Sequence, residues 1–374
     1  MTEVSRLRRP SSPDAATLPD SDDLLLEILL RLQPLPSSLP RASLVCKRWH
    51  RLVSDPGFLR RFRAHHRPPP VLGFFTSLEG EFVPTLDPPN RIPAARLTLP
   101  PHPAHVSLFI GCRNDVALLI SLDLKQIIVW NLVTAHQCGV PYPSLHPLIG
   151  AVVRSARYDG QSSLCPFKLV FLCADNVHGR FVRLYESQSG AWGSMIPTTV
   201  EIFDVFLMAA NVLVGNALCC LLRSGSILKV DLDTQNVAVI EKPVGITSDH
   251  LLLQYSFQIL QTEGNGLGLA VVSAHNKVQL WERNTSSDGD ERWFLQKTIR
   301  LDTLLSLEPS MGREVPMIVG FAEDANVIYV STYDGLFSIE LRSMEFRKIS
   351  ENSMRTYCYP FASFVAADGA IGGA

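Results

Sequence analysis

A chain of 374 residues is too long for one small core and suits a small module joined to one large domain. Its formal charge of −2 conceals an asymmetry, +5 over residues 1–70 and −7 over the remainder. Eight cysteines without a C-x-x-C pair exclude an evident metal-ligand array, and with no signal peptide they read as reduced thiols of the cytoplasm and/or nucleus rather than a disulfide framework.

Residues 1–17, with Pro10, Ser11, Ser12 and Pro13, read as a disordered tail. Basic clusters stand at Arg6, Arg8 and Arg9 and again at Arg60, Arg61, Arg63 and Arg67. No aromatic residue interleaves the first cluster and no nucleic-acid module follows, so solvated surface is the better reading and no nucleic-acid partner is expected. The segment 24–32, LLLEILLRL, then places seven large aliphatic residues in nine positions. Leu25, Ile28, Leu29 and Leu32 fall at i, i+3, i+4 and i+7, which predicts an amphipathic helix with that stripe buried. Leu24, Leu26 and Leu30 are left over and call for a partner. After QPLP comes a second helical stretch, 37–55, with Leu44, Val45, Trp49, Leu52 and Val53 as apolar positions, ending at Asp55-Pro56-Gly57.

DDLLLEILLRL, the Pro-containing turn, LVCKRW and RLVSDPGFLRRF, in that order over residues 18–62, resemble the F-box. That motif is a short helical module that docks the Skp-type linker subunit of cullin-RING ubiquitin ligases. Two departures stand out. Leu18-Pro19 is separated from Asp22-Asp23 by Asp20-Ser21, where family members usually have the Leu-Pro pair directly before the acidic pair. Pro40 stands where leucine is commoner, and a proline is tolerated in a first helical turn, which puts the cap at Ser38 or Leu39. The resemblance implies three short helices over 18–64 and makes Leu24, Leu25, Leu26, Ile28, Leu29, Leu30, Leu44, Val45 and Trp49 the residues of the linker-subunit interface or of the module's own core.

The prolines of HHRPPPV make 65–70 an extended, semi-rigid linker. Beyond it short apolar runs alternate with Gly, Asp, Asn and Pro turns, the pattern of a large all-β domain over 71–366, with 367–374 a flexible tail. A weak repeat runs through IIVWNLVTA, VRLYESQSGAW, ILKVDLDTQN, VQLWERN and LFSIELRSMEF. Its markers Trp130, Tyr185, Val230, Trp281 and Ile339 are spaced by 55, 45, 51 and 58 residues. Apolar strands such as DVALLIS, FKLVFLCA and NALCCLL precede them, so each repeat supplies strand, turn, strand, turn. Blades with inserted loops fit this spacing and predict a six- or seven-bladed β-propeller, with a two-sheet sandwich or several smaller β units as the rival. The final YCYPFASFVAA is the candidate ring-closing strand, with Pro360 at an edge. The 18 uncharged residues 205–222 read as two buried strands around Gly215 rather than a membrane span, because Asn211 and Asn216 interrupt them. This domain looks like the β-propeller-like region that follows the F-box in many plant F-box proteins.

No motif carries catalysis. His102 and His105 lack a third ligand, Gly264, Gly266 and Gly268 sit in a hairpin turn, residues 286–291 lack calcium-loop spacing, and no G-x-S-x-G elbow occurs. No catalytic residue, cofactor, metal or membrane partner is expected. The resemblance implies a non-catalytic substrate-recognition adaptor of an SCF-type (Skp-cullin-F-box) ubiquitin ligase, with a Skp-type linker subunit, a cullin reached through it and an unidentified target protein as partners. The alternative is a propeller scaffold or ligand-binding protein whose F-box engages no ligase.

Overall fold

The computed structural model describes residues 21–77, 79–98, 107–113, 115–143, 146–154, 166–201, 204, 211–246, 256–273, 276–285, 288–306 and 315–364. Both expected tails, the Leu18-Pro19 pair, His102, His105 and Cys165 lie outside them. The chain begins with four short helices, α1 (Asp22–Leu30), α2 (Ser38–Ser43), α3 (Lys47–Val53) and α4 (Pro56–His65), where three were expected. The difference has two physical causes. The stretch 37–55 breaks at residues 44–46. Asp55-Pro56, expected as a stop, is a start: the Asp55 carboxylate accepts the Phe58 N–H at 2.7 Å, and Pro56 takes the first helical position, where no N–H is required.

Leu25, Leu29 and Leu30 of α1 pack with Ala42, Leu52, Val53, Phe58 and Phe62 in one core. Charges at its rim tie the helices together. Asp22, in the first turn of α1 where a carboxylate also suits the helix dipole, meets Arg48 at 2.7 Å and Arg51 at 3.0 Å on α3. The His66 Nε2–H donates to the Leu30 carbonyl at 2.7 Å, satisfying the C-terminal end of α1. Pro40 lies in the first turn of α2, whose N-cap is Ser37, one residue before the expected cap region.

Twenty-four strands follow, arranged as six antiparallel sheets among the described residues. The first sheet starts with β1 (Val71–Thr76) and β2 (Phe82–Pro84). The second holds β3 (Ser107–Arg113), β4 (Val116–Ser121), β5 (Gln126–Asn131) and β6 (Gln137–Pro141). The third holds β7 (His146–Arg154), β8 (Phe167–Asp175) and β9 (Gly179–Glu186), with β10 (Ala191–Trp192) and β11 (Ile196–Pro197) both on β9. In the fourth are β12 (Asn211–Val214), β13 (Ala217–Leu221), β14 (Ile227–Asp231) and β15 (Val237–Ile240). The fifth comprises β16 (Phe257–Gln261), β17 (Leu267–Ser273), β18 (Lys277–Thr285) and β19 (Glu291–Arg300), followed by the short α5 (Leu301–Leu304). The sixth comprises β20 (Met317–Ala322), β21 (Val327–Thr332), β22 (Gly335–Glu340) and β23 (Phe346–Ser350). Finally β24 (Cys358–Ala362) returns to pair with β1. This is a six-bladed β-propeller.

All five repeat markers fall on the third strands of blades two to six, and the apolar runs before them are the second strands. Sheet-to-sheet cores fill the spaces between blades: Phe171 packs with Val129 between blades two and three, Leu184 with Leu228 between three and four, and Phe74 with Tyr329 across the closing seam. The 205–222 run supplies β12 and β13 with Gly215 at φ +58° in their turn; residues 205–210 lie outside the described ones. Seven of the eight cysteines are described, and each is a free thiol. Burial pushes Cys219 up to about 11 and Cys220 up to about 12.

Closure joins the two ends of the domain. Gly73 faces Phe361, Phe74 faces Pro360 and Phe75 faces Tyr359 across the β1–β24 pair. Since β24 has β1 on one side only, Pro360 sits on a channel-facing edge, where its missing N–H breaks no ladder. Gly73 is required here: a Cβ would lie 2.4 Å from the Phe82 ring and 2.5 Å from the Val83 carbonyl.

The ring is also clasped across its axis. Arg113, at the end of β3 in blade two, donates from Nη2 to Glu323 of blade six at 2.7 Å and to the Asn211 side chain of blade four at 3.0 Å. Burial raises the Glu323 carboxyl above its ordinary 4.5, opposed in part by the Arg113 charge and the Leu213 N–H. Asp324 is raised for the same reason.

Two outcomes follow from closure and clasp. Phe361→Ala, which empties a fully buried site among Phe75 and Phe82, lowers unfolding free energy by about 3–5 kcal/mol in urea titrations. A carboxyl raised in the folded state stabilises fully below its unfolded value, and that contribution is lost as pH rises through the raised one. Wild type therefore loses more stability than Glu323→Gln as pH rises from the ordinary carboxyl value of 4.5 through the raised one; parallel pH profiles for the two proteins contradict this.

Candidate functional site

The helical module leaves two pairs of large apolar side chains outside its own core. Leu24 and Ile28, 55% and 42% exposed, lie at i and i+4 on one face of α1. Leu44 and Val45, 84% and 54% exposed, occupy the break between α2 and α3, with the exposed Cys46 beside them. Burying any one of these aliphatics against a partner contributes roughly 1.5–3 kcal/mol before association costs. They are the module's candidate docking residues.

The nine residues singled out by the sequence thus divide. Leu25, Leu29 and Leu30 are buried in the module core, Leu26 and Trp49 are half-buried against it, and Leu24, Ile28, Leu44 and Val45 face outward. Two expectations are corrected. Ile28 was expected in the buried stripe and Leu30 outside it; α1 ends at Leu30, whose carbonyl is held by His66, so the last residue turns into the core while Ile28 faces solvent. Leu44 and Val45 were expected on a helix; they sit in a turn, and of the five apolar positions named in that stretch Leu52 and Val53 are the ones fully inside.

One linking contact had no sequence signal of its own. Asn90, in the loop after β2, accepts from both the Ser37 N–H at 3.1 Å and the Ser37 hydroxyl at 2.7 Å. A serine before a helix reads as a cap, yet its hydroxyl fastens the module to the ring instead. Among the described residues no group of three or more His, Cys, Asp and Glu side chains is arranged to hold a metal. No helix there is long and apolar enough to cross a membrane.

Comparison with known proteins assigns both parts. Residues 16–65 match the family described as F-box-like, and residues 112–363 match the family described as F-box protein AT5G49610-like, beta-propeller. The F-box protein At5g07610 of Arabidopsis thaliana is 23% identical over 332 residues, covering 81% of this chain and 76% of that protein. The putative F-box protein At1g47765 of the same plant is 30% identical over 146 residues, 38% of this chain and 36% of that protein. Among solved structures, the WD40 domain of SCAP from fission yeast overlays 70% of this chain and 56% of that one, with 10% identity and a TM-score of 0.37, too slight a likeness to argue from. With an F-box-like module at its head and two thirds of its length matching the propeller family, the chain belongs to the F-box proteins of the AT5G49610-like, beta-propeller family.

Proposed function

We propose that this F-box protein is the substrate-recognition adaptor of an SCF-type ubiquitin ligase. Its F-box docks a Skp-type linker subunit, through that subunit a cullin, and its propeller holds a target protein. The carrying observation is that the F-box core is complete without Leu24, Ile28, Leu44 and Val45, which are nevertheless large, apolar and exposed. Exposed aliphatics in a module this small gain free energy only when a partner covers them.

The mechanism is positional. An adaptor that holds a target beside a ubiquitin-loaded enzyme raises effective concentration and contributes no reacting group of its own. Rigidity serves that role, and the Ser37–Asn90 contacts together with the proline linker at 68–70 support a fixed orientation of the F-box on the ring. On this reading the interface is Leu24, Ile28, Leu44 and Val45, while Leu25, Leu29 and Leu30 act through folding. We place the adaptor in the cytoplasm and/or nucleus, where such ligases work.

The test is titration of the intact protein with a purified plant Skp-type subunit. Ile28→Asp combined with Leu44→Asp weakens binding by more than about tenfold and leaves the thermal midpoint in place, since both side chains start in water. Leu29→Ala does the reverse in kind, lowering stability by about 2–5 kcal/mol because it empties a fully buried site. If wild type fails to bind the subunit, or the double variant binds as tightly as wild type, the adaptor reading is wrong.

A further inference from the structure

The first strands of the blades enclose an axial cavity of about 240 Å³, with Gly111, Arg113, Gln258 and Glu323 among its lining residues. Arg113 Nη1 and Gln258 Oε1 in this lining have no hydrogen-bond partner among the described residues. The Gln258 side chain is not ambiguous. Its residue is 2% exposed and its Nε2 donates to the Ile259 carbonyl at 2.9 Å; a carbonyl only accepts, so the amide nitrogen must point there and the oxygen must point elsewhere. Arg113 uses Nη2 for Glu323 and Asn211, which leaves Nη1 as a second, unengaged donor.

Unpaired buried donors and acceptors are costly, and native proteins keep few of them without a ligand or water in attendance. Here one orphan donates and the other accepts, in a single cavity. A compact group that answers both carries an acceptor and a donor, as a primary carboxamide does. Charge narrows it further: Glu323 already balances Arg113, and Asp324 adds negative character to the lining, so an anion meets net repulsion. Apolar walls from Leu118, Ala151, Leu213 and Phe321 accept the remainder of the molecule. The volume falls just below the roughly 300–1,000 Å³ of pockets for larger ligands, which calls for a compact one.

We propose that the propeller channel is a binding site for a small, uncharged primary carboxamide, whose carbonyl oxygen accepts from Arg113 Nη1 and whose N–H donates to Gln258 Oε1. The site is separate from the F-box surface, so loss of one leaves the other testable. Gly111 offers a clean way to block it, because a Cβ built there meets nothing within 4 Å. Gly111→Val therefore puts its Cβ into open channel space.

Isothermal titration of the intact protein with acetamide, propionamide and nicotinamide, each against its carboxylate (acetate, propionate, nicotinate), reads the proposal directly. At least one amide binds, its carboxylate binds more weakly by about tenfold or more, and both Gln258→Leu and Gly111→Val reduce amide affinity by a similar factor while the urea midpoint of Gly111→Val matches wild type. Crystals soaked in the tightest amide place it between Arg113 and Gln258. The proposal is overturned if none of the three amides binds, if the carboxylates bind as well as the amides, if a folded Gly111→Val protein binds unchanged, or if the soaked channel contains water only.

Discussion

The β1–β24 pair is the contact on which the ring depends. Every other blade is assembled from strands consecutive in the chain, so local hairpins specify it; the first blade takes its innermost strand from residues 358–362 and its next from residues 71–76. Until those ends meet, β1 presents an open edge and Phe74, Phe75 and Phe361 lack their partners. Once they meet, the aromatic seam is dense: Phe75 stacks on Phe109 of blade two at 4.9 Å and meets Phe82 at 5.1 Å. The axial clasp then becomes possible, because Arg113, Asn211 and Glu323 come from alternate blades and converge only in a closed ring.

Much of this architecture was legible in the sequence, and what stayed hidden has a physical reason. Second strands and most third strands are largely buried by blades on both sides, so they announce themselves as apolar runs and aromatic markers. Fourth strands are exposed and read as polar connections; β19, for example, is mostly in solvent. A sharper repeat lay unread in the turns that follow the third strands. Asn131 Oδ1 accepts from the Val133 and Thr134 amides at 3.0 and 2.9 Å, and Asp231 Oδ1 from the Asp233 and Thr234 amides at 3.1 and 2.8 Å. In both turns, and in the matching one after β22, a left-handed residue follows: Ala135, Gln235 and Met344. Glycine normally marks such a position, as Gly190 does after β9 and Gly289 after β18. The composition of these turns therefore concealed their common geometry.

The exposed apolar face of the helical module was legible in outline but not residue by residue. An excess of leucine over 24–32 correctly signalled more apolar surface than one stripe buries. Helical periodicity then assigned the excess wrongly at Ile28 and Leu30, because it treats a helix as endless and packed from one direction. α1 spans nine residues and is held by α3 through Asp22 and by α4 through Glu27 and the Phe58–Phe62 pair, so its buried surface is wide and skewed toward its C-terminal end. Leu44 and Val45 escaped for a different reason. The helix breaks there, and a pattern that counts on continuity cannot see a turn that pushes two aliphatics into water.

The side of the ring on which the F-box sits follows from backbone contacts. The Ser363 N–H, just past β24, donates to the Pro70 carbonyl at 3.1 Å, and the Thr85 N–H, just past β2, donates to the Leu72 carbonyl at 3.2 Å. The module and its Asn90 anchor therefore share the face where first and third strands end. Turns between second and third strands lie on the other face, and two of them carry exposed aliphatics, Leu122 and Leu124 after β4 and Val177 after β8. A swivelling F-box would spread anything bound on that far face over a wide volume. Because Ser37 fixes the module through two hydrogen bonds to one oxygen, the vector from the four helices to the far face is set by the ring itself, whose shape β24 and the axial clasp hold constant.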